Sequence, residues 1–208
     1  MAKNQHEFDL LTLQRISSSK SIIRLLFVGI SCITLLPEMD LSQLTISTER
    51  LLIRPFTLDD IEASYQMNLD AEVSKYTGDG GVVSKQEIER RITEDVLGDY
   101  TKHGFGRLVV ELKATQEFIG FTGLKYIPEL NEVDLGYRLM SQHWGKGYAT
   151  ESAKAAIELG FEKLGLKSII ATVLPDNQGS IKVLNKLNFQ FEKEIEEEGE
   201  SVHLYRLK

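Results

Sequence analysis

The segment Gln142-His143-Trp144-Gly145-Lys146-Gly147-Tyr148-Ala149 constrains this chain more than any other. It follows a strand candidate, Glu132 to Met140, and opens the most clearly periodic helix. In that helix Ala149, Ala153, Ala156, Ile157, Gly160, Phe161 and Leu164 share one side, and Gly165 supplies a C-terminal stop. A helix N-terminus leaves backbone N–H groups unpaired and carries a partial positive charge, so it holds an anion such as a diphosphate without a cationic side chain. Gly145 and Gly147 lack Cβ, admit dihedrals closed to other residues, and let an anion approach the backbone of residues 145 to 150. An isolated G-x-G is also an ordinary link from strand to helix. Its surroundings decide between the two.

Those surroundings are regular from Leu44 onward. Leu44 to Arg54 is rich in β-branched and apolar residues and is closed by Pro55, which predicts a first strand. Thr57 with Asp60 marks a helix start, and Leu58, Ile61, Tyr65 and Leu69 continue one face to about Asn68. Gly78-Asp79-Gly80-Gly81 is a turn, and Ser84-Lys85-Gln86-Glu87 is a capping box for a second helix toward Tyr100. Three strands follow as an antiparallel meander, Phe105 to Leu112, Glu117 to Ile127 and Glu132 to Met140. After the long helix come a strand from Ser168 to Leu174, a helix from Ser180 to Leu187, and a hairpin of Phe189 to Ile195 and Ser201 to Leu207 around Gly199. The predicted order is β-α-α-β-β-β-α-β-α-β-β.

Composition excludes several classes. With 31 acidic and 24 basic residues, formal charge -7, a broad nucleic-acid surface is not expected. The acidity suits cationic partners such as amines or basic protein termini, and equally serves solubility. Cys32 is the only cysteine, so no internal disulfide forms, and the four histidines are not at zinc-ligand spacing, so no metal is expected.

Leu135-Gly136-Tyr137-Arg138-Leu139 followed by Gln142-x-x-Gly145-x-Gly147-Tyr148-Ala149-Thr150-Glu151 resembles the GNAT superfamily of N-acetyltransferases. The likeness is greatest to its Rim-type branch, named for ribosomal-protein N-terminal acetylation, with Trp144 and Lys146 part of the wider pattern. Asn177-Gln178-Gly179-Ser180 and Leu187-Asn188-Phe189 resemble that branch's N-x-x-S and L-G-F. Residues 44 to 208 follow the family's element order, and residues 1 to 38 lie outside it. The resemblance implies an α/β (α+β) fold whose mixed, mostly antiparallel sheet, flanked by helices, splays between the strands ending near Met140 and Leu174. It implies acetyl-CoA as cosubstrate, without a metal, and an amine acceptor, either a protein N-terminus or a small amine.

The resemblance also assigns residues. Gln142, Gly145, Lys146, Gly147, Tyr148, Ala149 and Thr150 would hold the pyrophosphate, and backbone groups of Leu139 and Met140 would pair with the pantetheine amides as an added strand would. Asn177 and Ser180 would sit beside the CoA sulfur, with Ser180 protonating the departing thiolate. The family's more usual tyrosine acid, seven residues after the asparagine, is replaced by Leu184. Ser180 is equally placed to cap a helix. Glu132 and Asp134, two apart on one strand face, are candidate bases for the amine, against a solvated face or a water chain in that role. Backbone N–H groups near Met140 would hold the carbonyl oxygen. Tyr137 and Trp144 would line the acceptor cleft or simply pack, and Lys182 and Lys186 would reach the CoA 3′-phosphate or face solvent.

Residues 1 to 38 carry a serine-rich patch and an uncharged run, Leu25 to Leu36, too short to span a bilayer as a helix. They are expected to be an apolar helix packed on the domain or on a second copy in a homodimer, or an upstream extension with Met39 the natural start. A signal peptide, with lipid attached at Cys32, is a competing reading that would part the enzyme from its cytoplasmic cosubstrate. The domain is thus expected to span residues 39 to 208. A noncatalytic acyl-CoA sensor of the same fold is the competing function, resting on Leu184 and the unassigned base.

Overall fold

The computed structural model describes residues 41–76, 82–197 and 199–208. The N-terminal extension, Met39, Cys32 and the turn Gly78 to Gly81 lie outside the described residues. The expected first strand is two strands, β1 (Ile46–Ser47) and β2 (Leu51–Pro55), paired antiparallel with Ile46 opposite Ile53. The break is chemical. The Thr48 side-chain oxygen accepts from the Leu51 N–H at 3.1 Å, closing a tight turn that lets the chain double back within a run of strand-forming residues.

Helices α1 (Ile61–Leu69), α2 (Ala71–Ser74), α3 (Lys85–Arg90) and α4 (Leu97–His103) follow, with Arg91–Val96 linking the last two in a wider π-helical turn. The Ser84 hydroxyl accepts from Glu87 N–H at 3.2 Å, one half of the expected capping box, and Asp70 caps the unanticipated α2. Strands β3 (Arg107–Leu112), β4 (Phe118–Ile127) and β5 (Glu132–Leu139) form the meander. Then come α5 (Tyr148–Glu158), continued by a π turn at Leu159–Lys163, β6 (Ile169–Val173), α6 (Gln178–Lys186), β7 (Gln190–Glu197) and β8 (Glu200–Leu207). Among the described residues no helix is long and apolar enough to cross a membrane.

The sheet runs β1-β2-β3-β4-β5-β6-β8-β7. Every pairing is antiparallel except β5 with β6, which run parallel and share one register pair, Asp134 with Ile170. No pair follows it, so the two strands part toward Leu139 and Val173, and the expected splay is present. The two-residue period of β4 separates the faces. Leu124, with Val133, Leu135, Ile169 and Ala171, packs on Ala153, Ala156 and Ile157 of α5 and Leu184 of α6. Phe121, of opposite parity, joins Phe56, Val109, Ile88 and Ile92 beneath α1 and α3. Each such buried leucine, isoleucine or valine side chain contributes about 1.5–3 kcal/mol. Gly160 lets α5 close on the sheet, since a Cβ there would meet the side chains of Leu124 and Ile169 at 2.9 and 3.0 Å.

Candidate active site

Gly147 stands at φ 85° as the N-cap of α5, and Gly145 at φ 74°, both in the left-handed region where a Cβ is strained. Among the described residues a Cβ built on Gly145 meets nothing within 4 Å, so its backbone faces open space there. The first helical bond runs from Glu151 N–H to Gly147 carbonyl at 3.0 Å. The N–H groups of Tyr148, Ala149 and Thr150 therefore precede the helical ladder, and no side chain caps Gly147's helix. Residues 144 to 147 are exposed. This is a helix terminus open to an anion.

The edge of β5 leads directly to it. Met140 N–H donates to Ile119 carbonyl at 2.9 Å and its carbonyl accepts from His143 N–H at 2.9 Å. The backbone N–H of Met140, expected to pair with pantetheine or hold an oxyanion, is thus spent on β4. An antiparallel ladder alternates its outward and inward pairs, so Tyr137 and Leu139 turn their N–H and C=O groups toward the gap. One of these is occupied: Trp144 Nε1–H donates to the Leu139 carbonyl at 2.7 Å.

Across the gap, Asn177 Oδ1 accepts from Ser180 N–H at 3.1 Å and caps α6. Tyr137 reaches over from β5, its phenol O–H donating to the Ser180 carbonyl at 3.1 Å, and burial pushes that phenol well above the ordinary tyrosine range. Ser180, Asn177 and Tyr137 are therefore brought together. Leu184 is buried in the core, and Lys182 and Lys186 are exposed on α6. Gln142 turns its amide to Glu117, 3.3 Å away.

The two candidate carboxylates are both engaged. Glu132 accepts from Arg206 Nη1 at 2.8 Å. Asp134 accepts from Arg107 Nη2 at 2.5 Å, while Arg107 Nη1 reaches the carbonyls of Gly123 and Asp134. Gly136 makes room for this guanidinium, which a Cβ would meet at 2.4 Å. Asp134, Arg107, Lys125, Thr172 and Glu197 line a cavity of about 250 Å³ on the sheet face opposite α5, beside the point where β5 and β6 part.

Three contacts escape a reading of the sequence alone. Asp70, between α1 and α2, accepts from the Ser141 hydroxyl, tying the helical layer to the start of the turn; this bond, opposed by burial, keeps the Asp70 carboxyl below its usual range. Arg107 was hidden in a strand. Arg50 and Thr48, some hundred positions upstream, both hold Glu151 in the first turn of α5. The clue was Glu151 itself, since a carboxylate at a helix terminus built for anions needs a neutralising partner.

Residues 50–190 match the Acetyltransferase (GNAT) domain family. The chain is 37% identical over 150 residues to the uncharacterized N-acetyltransferase p20 of Bacillus licheniformis, covering 71% of this chain and 83% of that protein. It is 26% identical over 153 residues to the spermidine N(1)-acetyltransferase of Escherichia coli K12, covering 72% and 77%. Its fold matches that of RimL, a ribosomal L7/L12 alpha-N-protein acetyltransferase in complex with coenzyme A, with a TM-score of 0.68 at 17% identity over 78% of this chain and 97% of that one. A glycine turn opening a helix beside a splayed parallel pair, in a chain so matched, makes this protein a member of the GNAT family and an acetyl-CoA-dependent N-acetyltransferase.

Proposed function

We propose that the protein acetylates a primary amine, a protein N-terminal α-amine or a small amine, by direct attack of the neutral amine on acetyl-CoA in the gap between β5 and β6. The observation that carries this is the single β5–β6 register pair, Asp134 with Ile170, which leaves the backbone N–H and C=O of Tyr137 and the N–H of Leu139 facing the gap, in line with the open N-terminus of α5. Bound acetyl-CoA supplies an acetyl thioester, from which the amine nitrogen displaces the thiolate as the C–N bond forms and the C–S bond breaks. The N–H groups of residues 145 to 150 take the pyrophosphate, with Lys146 at the exposed rim and Gln142 holding the preceding bend. Tyr137 and Leu139 take over the pantetheine pairing expected of Leu139 and Met140.

Ser180 stands at the head of α6 as proton donor to the thiolate, with Asn177 fixing the turn that carries it. Asp134 is favoured over Glu132 as the carboxylate that receives the amine's proton, directly or through water, because it lines the cavity beside the parting strands. The acidic balance of the chain and the glutamates of β7, including Glu197 at that cavity, support a cationic acceptor. Dependence on acetyl-CoA favours a cytoplasmic setting. Thiol release from acetyl-CoA should be measured with spermidine, simple amines and peptides bearing N-terminal serine or alanine. Turnover with at least one class, abolished in Gly147→Trp, is expected; no thiol release with any of them would remove the proposal.

A further inference from the structure

Arg50, in the turn between β1 and β2, makes a set of contacts that the anion site requires. Its Nε donates to Glu151 Oε2 at 2.7 Å, and its Nη2 lies 2.7 Å from the same oxygen. Its backbone N–H donates to Glu151 Oε1 at 2.9 Å, and the Thr48 hydroxyl donates to that oxygen at 2.6 Å. Its Nη1 donates to the carbonyl of Lys146 at 2.9 Å, in the middle of the glycine turn. The guanidinium carbon sits 4.5 Å from the centre of the Tyr148 ring, and a Cβ on Gly147 would stand 3.3 Å from Nη2. One side chain thus touches or abuts Lys146, Gly147, Tyr148 and Glu151.

We infer that Arg50, with Thr48 bonding the same Glu151 carboxylate, is a positioning residue that sets the shape and the charge of the pyrophosphate turn. This rests on the reading of that turn as the CoA diphosphate site. The shape follows from geometry: the planar fork joins a turn carbonyl to a helix carboxylate, so the glycines, free to adopt many conformations, are held in one. The charge follows from position. An unpaired Glu151 would stand in the first turn of α5, where an approaching diphosphate would meet a like charge. Arg50 neutralises it while leaving the N–H groups of residues 148 to 150 uncovered.

The two parts separate in variants. Arg50→Met keeps much of the apolar stem, removes the fork and exposes Glu151 to the ligand. Glu151→Gln loses the ion pair and leaves no repelling charge. Arg50→Lys restores charge without the two-point geometry. Binding of CoA and of pantetheine, which lacks the diphosphate, is measured by isothermal titration calorimetry on the full chain, beside thermal melting. Arg50→Met is expected to weaken CoA binding by roughly tenfold or more, Glu151→Gln and Arg50→Lys by less, and all three to bind pantetheine within about twofold of wild type. Equal loss of CoA and pantetheine affinity, or no loss of CoA affinity in Arg50→Met, overturns the inference. If Arg50→Met does not fold, the contrast between CoA and pantetheine in Arg50→Lys and Glu151→Gln decides it by the same rule. Absence of CoA binding in the wild type would instead remove the assignment of the turn.

Discussion

Trp144 donates its indole N–H to the carbonyl of Leu139 at 2.7 Å, joining the exposed end of the glycine turn to the strand edge that faces the gap. It is the only tryptophan in the chain and is 46% exposed. A ligand lying along Tyr137 and Leu139 toward Gly145 must pass this ring. Intrinsic fluorescence should therefore report cofactor binding. Titration with CoA is expected to change the emission and protect it from acrylamide quenching, with Trp144→Phe losing the signal while calorimetry still detects binding. Unchanged emission at a CoA concentration that calorimetry shows to be saturating would place the ligand elsewhere.

Ser180 carries two roles that one substitution separates. Its N–H is capped by Asn177 and its carbonyl accepts from Tyr137, so these two bonds do not use the hydroxyl, which also lies beside the Tyr137 phenol. Ser180→Ala should leave melting within about 0.5 kcal/mol of wild type and lower kcat by roughly tenfold to a hundredfold, with a changed alkaline limb of the pH profile. Wild-type turnover across pH would dismiss Ser180 as the acid. Asn177→Ala, in contrast, should destabilise by about 1 kcal/mol through loss of the cap, and Asn177→Asp should recover most of it.

Which parts were legible from sequence follows from how far apart the partners lie. The element order needed only local patterns, the alternation in the strands, a glycine turn and helices of clear period, while the splay between β5 and β6 came with the family resemblance that the motifs of the turn carry. Asn188 shows the same economy, since at φ 64° it occupies the left-handed position that the L-G-F resemblance gives to glycine, and asparagine tolerates it. The turn at Thr48 was invisible because Thr48, Glu49 and Arg50 interrupt no strand pattern; the partner of Thr48 and Arg50, Glu151, is about a hundred residues away. Met140, whose role came with the resemblance, shows a related limit. Spacing places it beside the phosphate turn, but only strand register tells that its N–H points to Ile119. The pairing of Asp134 with Arg107 likewise depends on Arg107 of β3 reaching across Gly123 of β4 and Gly136 of β5.

That pairing makes Asp134 a test of base against strut. Both side chains are largely buried, 17% and 12% exposed for Arg107 and Asp134. Asp134→Asn leaves the guanidinium short of a counter-charge and should destabilise by about 2 kcal/mol or more. If Asp134 also receives the amine's proton, the double variant Arg107→Met, Asp134→Asn should regain stability yet stay slow. Recovery of turnover along with stability would reduce Asp134 to a structural role and leave the proton to water.

Two aspartates should give stability opposite dependences on pH. Asp60 is buried, which works against its charge, but hydrogen bonds from Arg54, at 2.8 and 2.9 Å, and from Thr57 N–H hold its carboxyl below the usual range. A carboxylate depressed on folding contributes stability that is full above its unfolded value, about pH 4, and is lost as pH falls through the lower folded value. Asp99 runs the other way. Burial raises its carboxyl, more than the nearby cations Lys125, His103 and Arg107 lower it. Its contribution is full below about pH 4 and is lost as pH rises through the folded value, so at neutral pH its charge opposes folding. Asp60→Asn is expected to lower the urea midpoint at pH 7 and to flatten the loss of stability below pH 4. Asp99→Asn should raise the midpoint at pH 7 and change it little in acid. Urea titrations of the three proteins from pH 3 to pH 7 check both signs, and a lower midpoint for Asp99→Asn at pH 7 would show that its neighbouring cations outweigh its burial.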